Sequence, residues 1–114
     1  MKRRHYLFVC VNRRPDGNPK GSCAQKGSEQ LHAAIKEELG RRGLHKSVAR
    51  ACTSSCLDLC HVGAAIAVEP DGFFYKNVTL ADVPEIVDAL EHGARVERLV
   101  VRDDEFDPPP VAKV

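Results

Sequence analysis

Tryptophan is absent, only one methionine occurs, and aromatic residues make up 5% of the chain, so any core must be built from Val, Leu, Ile and Ala. No stretch approaches the ~20 consecutive apolar residues that cross a bilayer, which argues against a membrane-spanning helix. The basic start Met1-Lys2-Arg3-Arg4 leads into a short apolar run that Asn12-Arg13-Arg14 ends at once, without a small-residue cleavage site. That is not the pattern of a secretory signal, and the reading places the chain in the cytoplasm. Thiols stay reduced there, so cysteines serve as metal ligands or reactive groups more often than as disulfides. Paired carboxylates, a nucleophile–base pair and a substrate-pocket signature are all missing, which points away from an enzyme.

What is present fits one folded domain: 114 residues, 43% of them hydrophobic and 29% charged. A net charge of +1 conceals a division. Residues 1–50 hold 12 Lys and Arg against 4 Asp and Glu, net +8, whereas residues 51–114 hold 5 against 12, net −7. The plain reading is two solvated faces. The sharper one is a basic surface that docks an acidic partner or lies near an anionic cofactor. No aromatic or recognition-helix motif accompanies the cations, so a nucleic acid is not the expected partner.

His5–Val11, rich in β-branched and aromatic residues, predicts a buried strand. Arg13 to Ser22 is dense in turn formers and predicts a loop. Ser28 is a candidate cap for a helix to about Arg42, whose Leu31, Ala34, Ile35 and Leu39 recur at helical spacing; Gly43 closes it with Leu44 folding back. A strand over Lys46–Ala51 follows, then a loop over Cys52–Gly63 with room for one helical turn. Ala64–Glu69 and Phe73–Val78 predict a hairpin around Pro70-Asp71-Gly72. A second helix carries Val83, Ile86, Val87 and Leu90 on one face. Pro84 sits badly in a helix capped at Thr79, so Asp82 is taken as the start and Gly93 as the end. Arg95–Arg102 reads as an edge strand or extended arm, and the acidic, proline-bearing 103–114 as a disordered tail outside a domain over 1–102. The order β-α-β-β-β-α gives an α/β fold: a mixed, four- to five-stranded sheet, thioredoxin-like, with its first pair parallel and its hairpin antiparallel.

Of the five cysteines, Cys10 closes the first strand, Cys23 ends the loop after it, and Cys56 and Cys60 follow the second strand. Parallel strands end on one sheet edge, where open α/β sheets hold ligands, so four thiols converge there. Cys10 alone would pass as a small core residue, but Cys23, Cys56 and Cys60 lie in polar surroundings that give a structural thiol nothing to pack against. A zinc site prefers two close pairs, and here twelve residues separate one pair and three the other. A thioredoxin-type dithiol needs C-x-x-C, and the common bacterial and plant ferredoxin spacings are absent. Cys56-x3-Cys60-His61 is one residue too long for haem attachment, and only His61 adjoins a cysteine, too few for Rieske ligation. Zinc in an interaction module, and a metal-free thiol sensor using Cys52 with Cys56 or Cys60, remain as rivals.

Phe8-Val9-Cys10-Val11-Asn12-Arg13-Arg14-Pro15, Gly21-Ser22-Cys23 and Ser54-Ser55-Cys56-Leu57-Asp58-Leu59-Cys60 resemble the thioredoxin-like [2Fe–2S] ferredoxins of the Shethna type. The resemblance spans about residues 5–101. It implies that Cys10, Cys23, Cys56 and Cys60 ligate a [2Fe–2S] cluster, that the chain passes single electrons to redox partner proteins, and that two copies form a homodimer. Cys52 matches no ligand position and is expected to be a buried thiol at the end of the second strand, with a swap ligand as the alternative. Arg13, Arg14 and Lys20, in the loop between the first two ligands, are candidates for tuning the potential, as are backbone N–H groups near Gly17, Gly21 and Gly63.

Overall fold

The computed structural model describes residues 2–12, 22–57 and 59–106, with Cys60 described in its backbone alone. The elements run β1 (His5–Cys10), α1 (Ser28–Arg41), β2 (Ala49–Ser54), β3 (Ile66–Glu69), β4 (Phe73–Tyr75) and α2 (Val83–His92). The sheet order is β2-β1-β3-β4. β1 runs parallel to β2 and antiparallel to β3, which is antiparallel to β4. This is the mixed α/β sheet that the element order predicts.

Alternation along the strands separates two faces. Leu7, Val9, Ala49, Ala51, Ile66, Val68 and Tyr75 join Leu31, Ile35 and Leu39 of α1 and Ile86, Val87 and Leu90 of α2 in the main core. Both helices therefore cover one face. The other face carries Tyr6, Phe8 and Cys10 on β1, with a second apolar cluster at its upper end: Cys10, Cys23, Leu59, Ala65 and Val101.

Several boundaries differ from expectation for local reasons. β2 begins three residues late because Val48 and Ala49 donate their N–H groups to the Leu44 carbonyl at 3.0 and 3.2 Å, holding residues 45–48 in a turn. Cys52 consequently sits mid-strand opposite Phe8, half-buried, rather than buried at the strand's end. Ser28 is not the cap of α1: Gly27, at φ +87°, takes that position, and Ser28 is the first helical residue. Leu44 folds back as expected, its N–H 2.9 Å from the Leu39 carbonyl, after Gly43 at φ +71°.

β4 stops at Tyr75 because Lys76 turns its N–H to Leu99 and Asn77 its own to Val62. The start of α2 uses both candidates. Thr79 opens a 3-10 turn over Leu80–Asp82, its N–H and Oγ1 donating to Asp82 Oδ2 at 2.9 and 3.1 Å, while Asp82 occupies the cap position of the helix proper. Residues 95–102 form an arm with a 3-10 turn over Glu97–Leu99 and one bridge, Tyr75 to Val100, instead of a fifth strand. Of the expected tail, Asp103–Glu105 forms a 3-10 turn followed by Phe106; 107–114 lie outside the described residues.

Candidate metal centre

Cys10 is the last residue of β1 and pairs in register with Ser54, the last of β2, so the two parallel strands end side by side. The Cys10 N–H donates to the Ala65 carbonyl and Val11 to Ser54, at 3.1 and 3.0 Å, which clamps the β1 end between its neighbours. Cys23 leads into a single 3-10 turn over Ala24–Lys26, and its carbonyl accepts from Lys26 and Ser28 at 3.0 and 3.1 Å. This ties the second thiol to the start of α1. Cys56 lies two residues past β2, and Cys60 opens a 3-10 turn over Cys60–Val62. The loop from Arg13 to Gly21, with the candidate tuning residues Arg13, Arg14 and Lys20, lies outside the described residues, as does Asp58.

Cys10 and Cys23 are fully buried in one cluster with Leu59, and half-buried Cys56 and Leu57 pack against it. Among the described residues, no three Cys, His, Asp or Glu side chains draw close enough to form a cage for a metal ion. The donor set nevertheless fits an iron–sulfur group. Cys10, Cys23 and Cys56 offer sulfur alone in apolar surroundings, the soft donors such a group takes. The one adjacent imidazole is committed elsewhere, since His61 Nε2 donates to the Glu105 carbonyl at 2.8 Å. A carbonyl only accepts, so this contact fixes the proton on Nε2. Ser28 Oγ, fully buried beside the Cys23 turn, has no hydrogen-bond partner among the described residues.

Sequence reasoning missed the cover over this region. Phe106 packs on the cysteine cluster and meets Phe74 edge to face, ring centroids 5.8 Å apart. Glu105 pairs with Lys76 while its carbonyl accepts from His61. The Lys76 ammonium beside it holds the Glu105 carboxyl below the usual carboxylate range. An acidic composition hid this strap. Its signal was Phe106, an aromatic side chain placed where a solvated tail has no use for one.

No family model matches the chain. A "Ferredoxin, 2Fe-2S" of Aquifex aeolicus (strain VF5) is 39% identical over 97 residues, covering 84% of this chain and 87% of that protein. Another of the same name from Clostridium pasteurianum is 36% identical over 99 residues, covering 86% and 96%. The crystal structure of the wild-type thioredoxin-like [2Fe-2S] ferredoxin from Aquifex aeolicus matches with a TM-score of 0.82 at 38% identity, covering 89% of this chain and 99% of that one. Structures of two cysteine-to-serine variants of that ferredoxin match with TM-scores of 0.78 and 0.77.

Proposed function

The chain belongs to the thioredoxin-like [2Fe–2S] ferredoxins, and from that premise we propose that it is a one-electron carrier whose cluster sits on Cys10, Cys23, Cys56 and Cys60. When bound, the cluster supplies a site that takes up and returns one electron. The observation that carries the ligand assignment is the burial of Cys10 and Cys23 in one apolar cluster against Cys56, where β1 and β2 end together.

The chain's own parts divide the work. The strand ends and the turn after Cys23 fix the thiolates; Leu57, Leu59, Val62 and Phe106 exclude water on their side, which governs the potential through local dielectric. A carrier of this kind works without a substrate pocket and meets redox partner proteins at its surface. Its cysteine usage suits the cytoplasm, and among the described residues no helix is long and apolar enough to cross a membrane.

The test is the visible spectrum of aerobically purified protein with iron and acid-labile sulfide measured alongside. Red-brown protein with iron and sulfide in equal amounts, about two of each per chain, is expected. Colourless protein with stoichiometric zinc contradicts the proposal.

A homodimer completes this reading. It is supported by the family resemblance and by the sheet face opposite the helices, where half-buried Tyr6 and Phe8 line a shallow groove with Pro70 that no helix among the described residues covers. Phe8→Glu is expected to halve the mass seen by light scattering, and an unchanged dimer assigns the contact elsewhere.

A further inference from the structure

Most cations from the last residue of α1 onward are tied to carboxylates. Arg41 and Arg42 hold Glu38, and Arg42 also reaches Asp88; Arg95 pairs with Glu97, and Arg98 spans Asp82 and Glu85. The groove between α1 and the outer edge of β2 is built differently. Exposed Lys36, His45 and Arg50 line it with Arg3 and His32, and among the described residues no carboxylate lines it. The side chains of Lys36 and Arg50 have no ion-pair or hydrogen-bond partner among the described residues. Unpaired like charges raise the local potential, and that potential attracts an anionic surface before contact.

The groove's position gives this potential a use. β2 is the outermost strand, and the groove follows Ala51, Cys52 and Thr53 toward Ser54, which pairs with Cys10 and stands two residues before Cys56. A protein seated there lies along the strand that leads to Cys56. His32 Nε2 donates to the Ala51 carbonyl at 3.1 Å, occupying an acceptor on the strand's free edge. Recognition therefore falls to side-chain charge rather than to strand addition.

We propose that this groove docks a redox partner protein that presents a cluster of carboxylates. The inference rests on the electron-carrier reading and adds the chemistry of the partner. A nucleic acid suits the site less well, because among the described residues no Phe, Tyr or Trp side chain lines the groove to stack a base.

Poly-L-glutamate is the probe, titrated into the cluster-loaded, ¹⁵N-labelled full chain at about 0.01 M ionic strength, where charges act over ~30 Å. Amide shifts are expected along α1 from His32 to Lys36 and along β2 from Arg50 to Thr53. The Lys36→Glu, Arg50→Glu double variant is expected to bind about tenfold more weakly. Arg41→Glu with Arg95→Glu, an equal change in charge outside the groove, is expected to weaken binding severalfold less than the groove variant does. Equal weakening in both variants, or shifts centred on other cations, overturns the proposal. Tighter binding of double-stranded DNA through the same residues also overturns it. The visible spectrum and iron content of each sample keep the two claims apart. A colourless wild type defeats the electron-carrier reading, whereas full colour with poly-L-glutamate binding unchanged by the groove variant defeats the docking groove alone.

Discussion

At the scale of single residues the question is which thiols matter. Cys52 lies mid-strand, two positions before the register partner of Cys10, and is half-buried beside Phe8. Cys10 is fully buried where β1 ends. Cys52→Ser is therefore expected to keep iron and sulfide at wild-type levels, and Cys10→Ala to lose them, as iron analysis of purified protein will show. Iron lost in Cys52→Ser, or retained in Cys10→Ala, moves the ligand set. That Cys10, Cys23 and Cys56 lie near one another was legible from the sequence, because β1 and β2 are parallel and end side by side. The fate of Cys52 was not, because it turned on a three-residue shift in β2 that the Leu44 carbonyl imposes through Val48 and Ala49.

At the scale of elements, two joints carry measurable energy. Asp82 ties the 3-10 turn before α2 to the arm that follows it: it accepts from Thr79 N–H and Oγ1, and Arg98 donates to it at 2.8 Å. Burial alone would raise its carboxyl, but the Arg98 guanidinium and Thr79 outweigh that and hold it below the ordinary value. A carboxylate favoured by the fold gives up its contribution when protonated, so this contribution is complete above the unfolded pKa of ~4 and lost as pH falls through the lower folded value. Asp82→Asn is expected to cost about 1 kcal/mol near neutral pH, roughly 5 °C in melting temperature. The gap from wild type should hold steady from pH 7 to about pH 4 and shrink as the pH falls further; a gap that widens there contradicts the sign. The second joint is the strap. Phe106→Ala removes an edge-to-face pair and part of the cover over the cysteine cluster, for about 1–2 kcal/mol, and is expected to speed the bleaching of the visible spectrum in air. Bleaching at the wild-type rate would mean that the strap shields nothing.

The elements show where sequence legibility ends. Both helices were legible because their apolar stripes and closing glycines agree, and β1 because its run from Tyr6 to Cys10 is aromatic and aliphatic. The end of β4 was not: Lys76 and Asn77 exchange sheet partners for Leu99 and Val62, contacts distant in sequence. Ser28 looked like a cap by residue type, yet the turn after Cys23 delivers Gly27 to that position.

For the whole molecule, one arrangement accounts for the charge division and for the cysteines. Both helices cover one sheet face, Cys10, Cys23 and Cys56 gather at the upper end of the other, and Lys36 and Arg50 of the basic half line the β2 flank that leads to them. The central claim is that this gathering holds a one-electron [2Fe–2S] centre. The most direct test is a reductive titration of the purified protein followed by electron paramagnetic resonance. Uptake of one electron per two irons, with about one unpaired spin appearing in each reduced chain, is the predicted result. A protein that takes up no electron and stays silent, or one whose spin count bears no relation to its iron, contradicts it.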